Sequence, residues 1–129
     1  MDRFDIHIEV PAVDFNKLSD ERRGESSLEI RKRVCAARDI QTMRFASSGI
    51  HCNAELTDSE LERYCRLTPQ LKALLRTAFD KLHLSARAYS RILKAARTIA
   101  DLDNSEEIAA HHIMEAIQYR SLDRGYFPQ

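Results

Sequence analysis

Arg87 is the residue of this chain whose type and position best suit chemistry. It stands in Ser85-Ala86-Arg87-Ala88, directly behind a good helix N-cap, because a Ser85 hydroxyl can accept from a backbone N–H two or three residues on. From Leu84 to Leu102, the residues Tyr89, Ile92, Leu93, Ala96, Ile99 and Ala100 recur at steps of three and four, which gathers them on one apolar stripe. The same arithmetic puts Arg87, Arg91, Lys94 and Thr98 on the opposite side. A guanidinium there is always charged and presents paired N–H groups that fork onto phosphate or carboxylate oxygens. It also opposes the helix dipole, whose N-terminal end is positive. On spacing alone two readings stand: a solvated arginine, or an arginine aimed at an anion held by another domain.

Other residue sets offer less. His51, Cys52, Cys65, His83, His111 and His112 invite a zinc site, but no pair has Cys-x2-Cys or His-x3-His spacing. His111 and His112 are adjacent and expected to diverge on a helix, so no metal ligand is assigned. No pair of carboxylates occupies an evidently shared buried position, and no hydrolytic triad is recognisable from order alone. None of Gly24, Gly49 and Gly125 is followed by Lys, so there is no Walker A phosphate loop. No apolar strand ends in the acidic pair of a Walker B segment. The chain alone is therefore expected not to be an enzyme, and to be a fragment of something longer.

The elements that must position Arg87 are helical. The chain has 129 residues, 43% hydrophobic and 31% charged, with only three glycines and three prolines. That is a globular composition with few turn formers, enough for one modest core. Twenty basic and twenty acidic residues cancel, so no global field recruits nucleic acid or membrane. No leader or long apolar run is present, and three cysteines without CxxC spacing suggest reduced thiols. The expected location is cytoplasmic.

Phe4, Ile6, Ile8 and Val10 alternate with Asp5, His7 and Glu9 up to Pro11, the period of a strand. One strand cannot pair its own backbone, so its partners are expected outside this chain or in a second copy. A linker follows. Ser26-Ser27-Leu28-Glu29 is a capping box opening a helix to about Phe45, with Ile30, Val34, Ala37 and Ile40 inward. Its outer side carries Arg31, Lys32, Arg33, Arg38 and Arg44, read either as a solvated face or as contacts to nucleic-acid phosphates, with Arg31, Lys32 and Arg38 as the candidates. No aromatic residues interleave as a stacking platform would require. Thr57-Asp58-Ser59-Glu60 caps a short helix to about Leu67, with Leu61, Tyr64 and Cys65 inward. Thr68-Pro69 opens a third helix, whose Leu71, Leu74, Leu75, Ala78 and Leu82 form a clean stripe. Past the Arg87 helix, Ile108 runs extended and a last helix from about Ala110 to Arg120 buries Ile113, Ala116 and Ile117.

Ser85-Ala86-Arg87-Ala88, then Arg91-Ile92-Leu93-Lys94-Ala95-Ala96-Arg97-Thr98-Ile99-Ala100-Asp101-Leu102, then Ile108, Ala116 and Tyr119-Arg120, resembles the lid-domain signature of magnesium-chelatase-like AAA+ ATPases. The pattern is most similar to the ComM/YifB competence-protein subfamily and runs from Asp2 to Arg124. The resemblance implies an all-α lid-type bundle of four to five helices, preceded by one orphan β-strand of the ATPase core. It divides the chain into 1–24, the end of the core and a linker; 25–124, the lid; and 125–129, a frayed tail. It implies that Arg87 is the sensor 2 arginine, reaching the terminal phosphates of ATP, with Arg91 as the second candidate. Asp2-Arg3-Phe4-Asp5 looks like the start of the last core strand, so Arg3 matches the trans arginine finger; as a plain reading, Arg3 caps a strand end. ATP and Mg2+ are implied for the full-length protein and for none of this stretch alone. The implied partners are its own AAA+ core and neighbouring subunits of a hexameric ring, with DNA as the material handled and no membrane. The rival reading is a stand-alone helical module that binds DNA or a protein through its basic helix.

Overall fold

A computed structural model describes Ile6, Ile8 and residues 24–120. Its elements are α1 (Ser27–Arg44), a 3₁₀ turn (Asn53–Glu55), α2 (Asp58–Tyr64), α3 (Pro69–Leu82), α4 (Ala86–Leu102) and α5 (Ala110–Gln118). Among the described residues there is no strand, and the architecture is the expected all-α bundle. The strand expected over Phe4–Val10 lies outside the described residues save for Ile6 and Ile8, both exposed.

The helices start where local chemistry starts them. The hydroxyls of Ser26, Thr68 and Ser85 accept from the backbone N–H of Glu29, Leu71 and Ala88 at 3.2, 3.2 and 3.1 Å, each satisfying a donor the helix leaves orphaned. Pro69 occupies the first turn of α3, where its missing N–H costs nothing. At α2 the Thr57 N–H donates to the Glu60 carboxylate at 2.9 Å, which holds that carboxyl below its ordinary range. α2 ends at Tyr64, three residues short of the expected Leu67, because the Cys65 N–H closes the last turn on Leu61 O at 2.8 Å and Cys65 itself then leaves helical geometry.

α4 is the centre. It packs most extensively on α5 and also meets α1, α2 and the 3₁₀ turn, while α3 rests on α5. Ala88, Ile92, Ala96 and Ala100 of α4, with Ile113 and Ala116 of α5, are wholly buried. The alanines let neighbouring backbones approach closely, and each fully buried isoleucine contributes about 1.5–3 kcal/mol. Phe45, Leu56, Leu61, Cys65, Leu75, Leu84 and Ile108 close the same core. None of the described helices is long and apolar enough to cross a membrane.

α1 departs from expectation. Ala37 is buried and Ile40 half-buried, but Ile30 and Val34 are 43% and 48% exposed. The cause is reach: α1 is buried only from Ala37 onward, where Gln41 and the following Phe45 are also enclosed, and its residues 27–36, nearly three turns, are all exposed. Tyr89 departs too. Expected inside, it is 41% exposed and sets its ring edge-on to Phe79 with centroids 6.2 Å apart.

Candidate functional site

The start of α4 holds Arg87 in a defined direction. His83 ends α3 in the left-handed region at φ 52°, its N–H and that of Leu84 both closing on Phe79 O. The chain therefore reverses within three residues, buried Leu84 anchors it, and Ser85 caps the new helix. Ala88 has no exposure, whereas Arg87 just before it is exposed. The buried alanine fixes the phase of the helix and so turns Arg87 outward. Arg91, one turn on and on the same side, is half-buried. Beside this turn lies a cleft of about 660 Å³, to which Ala86, Tyr89 and Ser90 contribute from α4 and Asp58 and Lys72 from the facing helices.

Lys94 and Thr98, placed with Arg87 on the outer side by helical arithmetic, are half-buried. The 3₁₀ turn covers them: Lys94 Nζ donates to Ala54 O at 3.4 Å, and Thr98 Oγ1 accepts from Asn53 Nδ2 at 3.0 Å. A central helix has less outside than an amphipathic wheel allots it.

The largest correction lies at the far end of α4. Asp101, 2% exposed, accepts two hydrogen bonds from Arg44 at 2.9 and 2.6 Å and one from Asn53 at 3.0 Å. Arg97 approaches the same carboxylate at 3.2 Å and donates to the carbonyls of Glu106 and Ser105 at 3.0 and 2.8 Å. Arg44 was expected on the outer strip; it is largely buried because Asp101 draws it in. Two guanidinium groups thus share one buried carboxylate, with Gln41 Oε1 accepting the Asn53 N–H at 3.0 Å. Burial holds the Arg97 pKa below its ordinary value, with Asp101 opposing that shift. Sequence reading passed over this network, although Arg97 and Asp101 are four apart and each directly follows a buried alanine of the stripe, Ala96 and Ala100. That phase was the available signal.

His111 and His112 do not diverge as expected. Their Nε2 atoms lie 3.3 and 3.0 Å from the same Asp103 Oδ2, since Asp103 follows α4 just where α5 begins. Asp103, His111 and His112 bring three ligand-type atoms within 4.8 Å of one another. The tautomer argues against a cation there: His112 Nδ1 accepts the Ala109 N–H at 2.8 Å, so the neutral ring carries its proton on Nε2, where a metal would need a lone pair. The group caps α5 instead.

Arg31, Lys32 and Arg38 are exposed on α1, and Arg33 beside them pairs with Glu25. Arg3 lies outside the described residues. Among the described residues, the exposed α1 strip lies on a different helix from Arg87.

Residues 24–120 match the family model described as magnesium chelatase, subunit ChlI C-terminal. The chain is 42% identical over 125 residues to the competence protein ComM of Haemophilus influenzae and 39% identical over the same length to the uncharacterized protein YifB of Salmonella typhimurium, covering 96% of this chain in each case. It is 30% identical over 120 residues, 93% of this chain, to the uncharacterized protein Mb2921c of Mycobacterium bovis. The chain spans 24% of the length of each of these relatives.

Proposed function

The chain belongs to the family described as magnesium chelatase subunit ChlI C-terminal, and on that footing we propose that it is the lid domain of an AAA+ ATPase, sensing bound ATP through Arg87. The observation that carries the reading is the placement of Arg87: exposed, in the first turn of a capped helix whose next residue has no exposure at all. The helix cannot rotate to hide it without unpacking Ala88 and Ile92. A guanidinium so presented suits a phosphate, being always charged and forked. ATP and Mg2+ would be held by a core beyond these residues; the part this chain plays is to orient and neutralise the terminal phosphate, and to move with it as a rigid body. Residues 1–24 are then the end of that core and its linker, 25–124 the lid and 125–129 a tail, with Arg91 in a supporting position and Arg3 the finger toward a neighbouring subunit of a ring. One relative is named a competence protein; the work proposed for the whole protein is DNA processing, in a cytoplasm.

The test is steady-state ATPase of the full-length protein beside thermal melts of the 129-residue chain. Arg87→Ala is expected to leave the melt unchanged or slightly raised, since it removes a cation from a first turn, and to cost hydrolysis on the order of ten- to a thousand-fold. Arg87→Lys should restore part of it. Arg97→Ala is no control, because that side chain is 4% exposed and ion-paired; exposed Lys81 serves, and Lys81→Ala should be silent. An unfolded Arg87→Ala chain, or wild-type hydrolysis, makes Arg87 a structural residue.

One observation favours the rival, a helical module binding DNA or protein: every residue from 24 to 36 is exposed. Changing Arg31, Lys32 and Arg38 to Gln together should then abolish partner binding while hydrolysis stays intact.

A further inference from the structure

The charge around Asp101 does not balance. Arg44 and Arg97 bring two positive charges to one buried carboxylate, leaving one in excess. Both arginines line a cleft of about 550 Å³ between the end of α1, the end of α2 and the 105–108 segment, and Arg63 and Arg66 line it too. Arg63 lies over the Tyr64 ring, 5.2 Å from its centroid, and neither it nor Arg66 forms an ion pair among the described residues. Glu106 and Glu107, both exposed, line it as well and form no ion pair among the described residues, so four guanidinium groups line the cleft and Asp101 is the one carboxylate ion-paired to any of them. Arg97 is 4% exposed and its Nε has no hydrogen-bond partner, a buried donor left unmet where the cleft could meet it. Thr68, the N-cap of α3, completes the wall, adding the positive end of a helix of 14 residues.

We infer that this cleft binds a phosphate group. The planar edge of a carboxylate matches one forked guanidinium, as that of Asp101 does with Arg44; four guanidinium groups arriving from separate elements suit a tetrahedral anion with charge spread over several oxygens. The cleft is also far larger than one carboxylate needs. Arg97 is ten residues from Arg87 on the same helix, about 15 Å along its axis, so the inference does not rest on the sensor assignment. The phosphate can come from a nucleic-acid strand or from a free nucleotide.

The experiment measures binding by the 129-residue chain of a fluorescein-labelled single-stranded oligonucleotide, of ADP and of a polyglutamate peptide, at low and raised salt. The variant is Arg63→Gln with Arg66→Gln; both side chains are exposed, and a melt confirms the fold. The expected result is oligonucleotide binding that the double change weakens about tenfold at moderate salt, with the salt slope reduced by about two. Lys81→Gln, at an exposed residue outside the cleft, should leave it unaltered. ADP binding that depends on Arg63 and Arg66, without oligonucleotide binding, supports the cleft and assigns it to free nucleotide. Binding of polyglutamate alone, binding indifferent to Arg63 and Arg66, or no binding of any probe overturns the inference.

Discussion

At Asp103 one carboxylate serves two imidazoles. The hydrogen bonds from His112, and secondarily from His111, hold its carboxyl below the usual carboxylate range. A carboxylate depressed in this way stabilises the folded chain at pH values above its unfolded pKa of about 3.9. That contribution is lost as pH falls through the lower folded value. Asp103→Asn is therefore expected to flatten this part of the acid limb in a plot of melting temperature against pH, while the rest of the profile keeps its shape. An acid limb identical to wild type would show that the two histidines do nothing for Asp103. The same residue explains why a metal reading fails here: the proton His112 gives to Asp103 occupies the nitrogen a metal would need, because the Ala109 N–H has claimed the other.

Element boundaries in this protein are written in single residues, and one of them is under strain. His83 ends α3 in the left-handed region, where a residue with a Cβ costs about 1–2 kcal/mol relative to its ordinary conformations. Glycine carries no such cost but gives the unfolded chain more freedom. His83→Gly should on balance stabilise the chain by about 1 kcal/mol, raising its melting temperature by a few degrees, and His83→Val should lower it. A glycine variant that melts below wild type would mean the imidazole makes a contact worth more than the strain. The caps at Ser26, Thr68 and Ser85 were legible because each is a local contact between residues three apart. The face of α1 was not. Ile30 and Val34 have the right spacing for a core position and no neighbour to fill it, and spacing says nothing of where the facing elements end.

For the whole molecule, the pairing of Arg44 and Arg97 with Asp101 ties α1 to α4, and the Arg97 bonds to the Ser105 and Glu106 carbonyls tie in the segment leading to α5. Asp101→Asn leaves two guanidinium groups facing each other without a counter-charge, an expected loss of about 3–5 kcal/mol, a large share of the ~5–15 kcal/mol typical of a domain. Cys65 offers a readout. Burial pushes its thiol up to about 11 and leaves it 3% exposed, so it should resist a thiol reagent until the bundle opens, whereas exposed Cys35 should react at once. Asp101→Asn should speed Cys65 labelling and lower the melting temperature together. Unchanged protection of Cys65 would reduce the network to a surface feature.

The helical class, the caps, the clean stripe of α3 and the outward direction of Arg87 were determined by the sequence alone, since each depends on residues within about one turn of one another. The family resemblance added the sensor assignment on the same short motif. Tertiary structure decided what lies far apart in the chain: Arg44 meets Asp101 across 57 positions, and Asn53 reaches it across 48. Periodicity sorts residues into apolar and polar faces, so it put Arg44 on the outer strip and gave Asp101 no partner. It could not foresee a helix enclosed on several sides, where a charge stays inside only because another element delivers its partner. The same limit hid the cleft lined by Arg63, Arg66 and Arg97, whose walls come from elements that no sequence window holds together.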